Sequence, residues 1–341
     1  MKKVFGGVLA ALLSLSLIGC GSSKPETPAD SSDDTLRIAF VSYQEFDSSE
    51  WLQNLVAGLK DYEAKNEGIE IKTIEAIGAD TYEPKVLACA QDGFDIIITT
   101  YSDMWDATCV VADQFPDIKF GILQAEKTDE EYAAHPNIEE FHLNRTETSF
   151  LQGYVAAKMT KTGTVGFVGG NDSQGINEIL AGWQQGIAYA NNGTADLVAY
   201  CNSFTDPTIG KDYAQQLIKQ GADIIFGAAG GSGTGCAQAA EEAGIMYAAC
   251  DAHYPDAAPN SEIGSTLNFF ENMVIAFIDK AVSGNFEGGT QHEYGVKEGA
   301  AIYEFATTND LAPQELKDEV ADLAAKIAAG EIEISRDPLH K

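Results

Sequence analysis

Three stretches from the first half of the chain return in its second half at nearly constant spacing. "LRIAFVS" (Leu36–Ser42) is matched in kind by "TVGFVGG" (164–170), and "IEIKTIEAI" from Ile69 by "ADLVAYCNSF" from Ala195. "GFDIIITTYSD" from Gly93 agrees nearly residue for residue with "GADIIFGAAGG" from Gly221, 128 positions on. Such a repeat restricts the fold to two like units. The length agrees, since 341 residues exceed what one core usually carries.

Between the repeated strands lie stretches of helical spacing. Residues 51–66 place Leu52, Leu55, Val56, Leu59 and Tyr62 on one face. Residues 178–191 and 211–220 behave alike, and the stretch 237–243 follows the glycine run 230–235. Ile96, Ile97 and Ile98 form an unbroken apolar run, which suits a parallel strand buried on both faces. The expected fold class is α/β, with two Rossmann-like lobes around a central cleft. Ligands of open α/β sheets sit beyond the carboxyl ends of the strands. Here those ends carry the loops 42–50, 101–105, 169–175, 202–206, 230–235 and 251–254.

The N-terminus reads as a targeting segment. Lys2 and Lys3 precede a short apolar run, residues 4–18, well under the ~20 residues of a spanning helix. Leu17, Ile18, Gly19 and Cys20 resemble a lipoprotein signal-peptidase site, with Cys20 carrying the lipid. "GSSKPETPADSSDD" (21–34) has no apolar periodicity and reads as a disordered tether. The expected organisation is a signal peptide over 1–19 and a tether over 20–34. The first lobe takes 35–145 plus 269–297, the second 146–268 plus 298–341. A tail helix over 313–329 is expected to pack on the second lobe. The net charge of −31 disfavours nucleic acid and anionic lipid surfaces as partners. Beyond Cys20, five cysteines lie at 89, 109, 201, 236 and 250, none in a CxxC. Buried free thiols are the simpler reading, and one disulfide stays open.

The run "FGAAGGSGTGCAQAAEEAG" (226–244) imitates a phosphate loop without meeting its rules. Counted from Gly231 and Gly233, the last position of G-x-G-x-x-G is Cys236. No Lys follows for a P-loop, and Thr234 breaks a G-x-S-x-G elbow around Ser232. No zinc spacing appears among the Cys and His.

Four stretches stand out beside the strand-end loops and the Cys20 segment: "FLQGYVAAKMTKTGTVGFVGG" (150–170), "SFTDPTIGKDYAQQLIKQGADIIFGAAGGSGTGCAQAAEEAG" (203–244), "YGVKEGA" (294–300) and "FPDIKFGIL" (115–123). Together they resemble the basic-membrane-protein family of nucleoside-binding, ABC-importer lipoproteins, whose fold is the type I periplasmic-binding-protein fold. The resemblance implies an aromatic sandwich around a purine base, with Phe204 as one ring and Trp51 as the other. It implies Asp47 as a nearby acid, Asp251 as acceptor for ribose hydroxyls, Lys297 in a late crossover, and Gly230 and Gly231 beside the sugar. The family's Lys-Ser-Phe-Asn pattern is absent from "EFDSSEWLQN". His253 stands where a second acid is usual, and Asn268 or a neighbour where a lysine is.

Each candidate has a plainer alternative. Trp51 can cap the core of the first helix, and Phe204 can pack its own loop. Asp206 precedes Pro207 and can cap a helix. Tyr101 can be an ordinary loop residue, Asp251 a solvated strand end and Lys297 a surface lysine. His253 fits ligand or solvent contact better than a catalytic base. The resulting expectation is a lipid-anchored extracytoplasmic binding protein, no enzyme, that delivers a nucleoside-like solute to an ABC permease. It is a monomer with no cofactor and no metal, touching the membrane only through its N-terminal lipid. A sensor or adhesin on the same fold and a nucleoside-processing enzyme remain the alternatives.

Overall fold

The computed structural model describes residues 35–47 and 50–341. The expected signal peptide, Cys20 and the tether lie outside the described residues. The chain begins with β1 (Leu36–Ser42), α1 (Glu50–Lys65), β2 (Ile69–Glu75), α2 (Ala79–Gln91) and β3 (Ile96–Thr100). It continues through α3 (Trp105–Gln114), β4 (Lys119–Leu123), α4 (Asp129–Ala133) and β5 (Ile138–Leu143). Next come α5 (Thr146–Met159), β6 (Thr164–Gly169), α6 (Gln174–Ala190), β7 (Ala195–Tyr200) and α7 (Pro207–Lys219). They are followed by β8 (Ile224–Ala228), α8 (Gly231–Ala243), β9 (Met246–Asp251) and β10 (Glu262–Asn268). The chain closes with α9 (Phe270–Val282), β11 (Thr290–Tyr294), β12 (Ala301–Phe305) and α10 (Gln314–Ala328).

Two six-stranded sheets result, ordered β2-β1-β3-β4-β5-β11 and β7-β6-β8-β9-β10-β12. One order maps on the other strand for strand, so the repeat in the sequence is a repeat in topology. Neighbours are parallel, except that β12 runs antiparallel to β10. β1 shows why each sheet is covered on both faces. Ile38 and Phe40 enter a core with Leu55 of α1 and Phe277 of α9, while Ala39 and Val41 face Val86 of α2 and Val111 of α3. In the second sheet Phe167 and Phe226 meet Trp183 of α6 and Leu323 of α10. Val168 and Ile225 meet Ala237 of α8 on the other side. Between the sheets the chain passes from β5 to α5, from β10 to α9, which packs back on the first sheet, and from β11 to β12.

Glycine builds the helix pairs of the second lobe. A Cβ on Gly153 of α5 would stand 2.0 Å from the Trp183 carbonyl oxygen, and one on Gly186 of α6 1.9 Å from that of Phe150. Gly210 of α7 meets the Ser232 carbonyl at 2.0 Å, and Gly235 of α8 that of Pro207 at 1.7 Å. These helices touch backbone to backbone. The expectation of a glycine loop over 230–235 followed by a helix over 237–243 is therefore corrected, because α8 already begins at Gly231. Poor helix propensity is overridden there by close packing. All five cysteines among the described residues are free and buried, and burial pushes the Cys89 thiol up to about 11 and that of Cys109 to about 12. No helix among the described residues is long and apolar enough to cross a membrane.

Candidate functional site

The carboxyl ends of the strands carry backbone that ordinary residues avoid. Tyr101, directly after β3, has φ 60° and ψ 168°. Its counterpart after β8 is Gly230, with φ 51° and ψ −131°. Gln124 after β4 has φ 58°, and Asp251 at the end of β9 has φ 64°. Left-handed backbone thus recurs at matching places in the two lobes, with glycine at only one of the four. Non-glycine residues held this way cost of order 1–3 kcal/mol and gather where geometry serves a ligand.

A cavity of about 420 Å³ opens between the lobes. Trp51 and Asn54 of α1 line one wall, Asp251, Ala252 and His253 the other. Its base is the crossover segment Leu267, Asn268 and Phe269, with Glu271 beside it. Trp51 is held edge-on to Tyr101, ring centroids 6.0 Å apart, and tilted against Phe270 at 4.9 Å. Burial raises the Tyr101 phenol to about 12, against the opposing pull of Arg145. Asn268 Nδ2 donates to Asp251 Oδ1 at 2.5 Å, while its Oδ1 is buried without a hydrogen-bond partner. His253 Nδ1 bonds the buried Glu262 carboxylate, whose other oxygen accepts from the Tyr254 amide at 2.7 Å. Burial lifts the Glu271 carboxyl above its ordinary value.

Phe204 projects from the second lobe with 42% of its surface exposed. A Cβ on Gly170 would come 2.1 Å from its ring, so that glycine is the seat of the ring. Added Cβ atoms on Gly230 and Gly231 would stand 3.1 and 3.2 Å from the Phe204 carbonyl oxygen. The loop is pinned from below, where the Asp206 amide donates to Ser203 Oγ and Ser232 Oγ, each at 3.1 Å. Asp206 caps α7, its Oδ1 accepting from the Thr208 amide at 2.9 Å.

Of the nine predicted residues Trp51 and Asp251 line this cavity; Tyr101, Phe204, Asp206, Gly230 and Gly231 lie outside its lining, as do Asp47 and Lys297. Asp47 is exposed in a turn and accepts from Gln53 Nε2 through its backbone carbonyl. The Lys297 side chain is 74% exposed, 3.8 Å from Glu298. It lines a separate depression at the β11–β12 crossover with Asn144, Glu147 and Glu293.

Reasoning from sequence passed over Asn54, Gly170, Glu271 and Arg145. Arg145 lies where the chain leaves β5 for α5. It is one of three arginines in the chain, which was the available signal. A buried seam runs behind it. His142 Nε2 of β5 is 3.2 Å from Glu178 Oε2 of α6, both at most 4% exposed, and Arg336 pairs with Glu178 and Glu293. Burial alone would raise the Glu178 carboxyl, but the His142 bond and Arg336 lower it. No cluster with metal-binding composition occurs among the described residues.

Several known proteins are similar to this chain. Basic membrane protein A1 of Borrelia garinii subsp. bavariensis is 28% identical over 330 residues, covering 94% of this chain and 92% of that one. The ABC transporter nucleoside-binding protein BmpA of Lactococcus lactis subsp. cremoris is 26% identical over 360 residues, covering 98% and 99%. In fold, an ABC transporter solute-binding protein from Conexibacter woesei superposes with TM-score 0.70 at 19% identity, covering 89% of this chain and 99% of its own. The model of a family described as ABC transporter substrate-binding protein, PnrA-like, matches residues 35–337. The two α/β lobes around a cleft agree with the match across the described domain, and the chain belongs to this family of substrate-binding proteins, which bind solutes for ABC importers and are not enzymes.

Proposed function

We propose that the protein captures a nucleoside or a related purine-like solute between its lobes and hands it to an ABC importer, while Cys20 carries a lipid that holds it to the outer face of the cell membrane. The observation that carries the ligand class is the pairing of surfaces. Trp51 stands on one wall of the cleft, and the half-exposed Phe204 belongs to the other lobe. A flat heterocycle gains about 1–3 kcal/mol per stacked aromatic. Asp251 on the opposite wall, hydrogen-bonded to Asn268 at the base, suits hydroxyl groups. The Lactococcus relative described as nucleoside-binding supports the same class. Closure moves the lobe of residues 35–145 plus 269–297 against that of 146–268 plus 298–341 about the crossovers. The protein acts as a monomer.

A thermal-shift screen of nucleosides, free bases and sugars tests this reading, since ligands of the native state raise the melting temperature. Nucleosides are expected to stabilise the protein. Phe204→Ala is expected to weaken binding by about tenfold or more with an unchanged melting temperature, because the ring is 42% exposed. Stabilisation by a sugar and by no nucleoside or base would overturn the proposal.

A further inference from the structure

Past α10, residues 331–341 form neither helix nor strand, yet they are fastened to α6 of the second lobe. Ile332 and Ile334 pack on that lobe's core. Gln185 turns both ends of its amide on one residue, Nε2 donating to the Ser335 carbonyl at 2.7 Å and Oε1 accepting from the Ser335 amide at 2.9 Å. Gln184, 2% exposed, holds the chain further on. Its Oε1 accepts from the Leu339 amide at 2.7 Å, and its Nε2 donates to the His340 carbonyl at 2.8 Å. A glutamine amide has one donor end and one acceptor end, and here each end meets backbone.

Arg336 stands between these two fixings and reaches the other lobe. Its Nη2 is 2.5 Å from Glu293 Oε1 on β11, a strand of the first sheet, and its Nε is 4.0 Å from Glu178 Oε1 on α6. The contact with Glu293 is an ion pair rather than an aligned hydrogen bond. Glu293 Oε2 accepts from Asn144 Nδ2 at 2.7 Å, at the β5–α5 crossover. Glu178 Oε2 meets His142 Nε2 of β5 at 3.2 Å, both side chains at most 4% exposed. Two contacts thus join the lobes and share Glu178, and none of these side chains lines the cleft cavity.

Rotation of one lobe on the other acts on these contacts directly. α6 and the segment 331–341 travel with the second lobe, β5 and β11 with the first. Separating His142 from Glu178 would strip a buried carboxylate of a partner, which is costly. Parting Arg336 from Glu293 would leave an oblique, part-buried cation with Glu178 alone. In the arrangement seen, Trp51 lines the cavity and the 42% exposed Phe204 does not, so the two rings have not been brought together.

Resting on the lobe closure read above, we propose that Arg336 is a positioning residue. With Glu293 and Glu178 it clasps the lobes in the unclosed arrangement and sets how readily the empty protein closes.

Spin-label distances in the ligand-free full chain test this. Labels on Lys60→Cys of α1 and Lys219→Cys of α7, both exposed positions, report the separation of the lobes. Cys20→Ser removes the thiol at that position, and the five buried thiols stay unlabelled. The otherwise unaltered chain should give one narrow distribution. Arg336→Gln keeps a long polar side chain without the charge, and should shift the ratio of short to long distances roughly 3- to 10-fold toward short. Glu293→Gln should do the same, and the double variant no more than either single one, because both break one contact. A lower melting temperature with unaltered distances in both variants would mark Arg336 as a structural residue of its segment and overturn the proposal. Longer distances would overturn it too, by placing the clasp on the closed side. No ligand enters the readout. Unaltered distances sink the clasp and leave the nucleoside reading intact, while a screen in which no nucleoside binds sinks that reading and leaves the clasp to be judged on its own distances.

Discussion

Asp251 shows how a single residue trades stability for geometry. Its φ of 64° turns the chain at the end of β9 and aims the carboxylate along the cavity wall, where Asn268 holds it. Glycine would take that backbone without strain. Asp251→Gly is therefore expected to melt at or above the wild-type temperature while binding nucleosides about tenfold or more less tightly. Scanning calorimetry beside titration checks this, and a destabilised variant with wild-type affinity refutes it. Asp251 itself was readable, because "GIMYAACD" is an apolar run ending in an acid and the repeat puts that end at the cleft. Its left-handed backbone was not, nor that of Tyr101, since neither residue type marks positive φ as Gly230 does. Arg145 stayed hidden for another reason. Its surroundings, Tyr101, Gly175 and Asp251, come from three separate strand ends, and only the folded sheets bring them together.

Among elements, the tightly seated pairs α5–α6 and α7–α8 set the second lobe apart. Each rests on glycines whose missing side chains are replaced by a neighbouring carbonyl. At Gly235 the gap left for a Cβ is 1.7 Å, and backbone on both sides leaves no side chain free to yield. Gly235→Ala is expected to cost at least about 1–3 kcal/mol, visible as a lower denaturation midpoint with an unchanged slope. A variant as stable as wild type would mean that α7 and α8 separate at little cost. Here the sequence misleads in an instructive way. Local propensity makes the run 230–235 a loop, and the repeat does not warn otherwise, because its counterpart in the first lobe, "TTYSDMW", contains no glycine. What the glycines serve is a contact between helices, and propensity is blind to it.

For the whole molecule, the expectation of two like lobes was the most readable part, since strand periodicity and the spacing of the repeat report it directly. The ionisable seam between the lobes was not readable, because its members come from β5, α6, β11 and the C-terminal tail. It matters for the response to pH. Burial raises the carboxyls of Glu140, Glu147 and Glu271 above the ordinary value of 4.5. A raised carboxyl binds its proton more readily when folded, so these three add stability as pH falls from neutral toward that value. Glu178 and Glu319 are lowered, the first against its burial by His142 and Arg336, the second by Tyr154 and Lys158. Their stabilisation is complete above the unfolded value and is lost as pH falls through their folded values. The net charge of −31 adds self-repulsion that acid relieves. The melting temperature is therefore expected to rise as pH drops from 7 toward about 5, and to decline below about 4.5. A melting temperature that falls steadily from pH 7 downward would contradict it.

The five buried thiols have a practical consequence. A maleimide dye needs a thiol within its reach, and burial withholds all five in the native protein. A version of the protein starting at Thr35 with a cysteine in place of Lys297, whose side chain is 74% exposed, would take a single label without removal of any native cysteine. The dye would sit at the β11–β12 crossover, where the proposed bending between the lobes would register as a change in fluorescence and make the molecule its own optical gauge of solute.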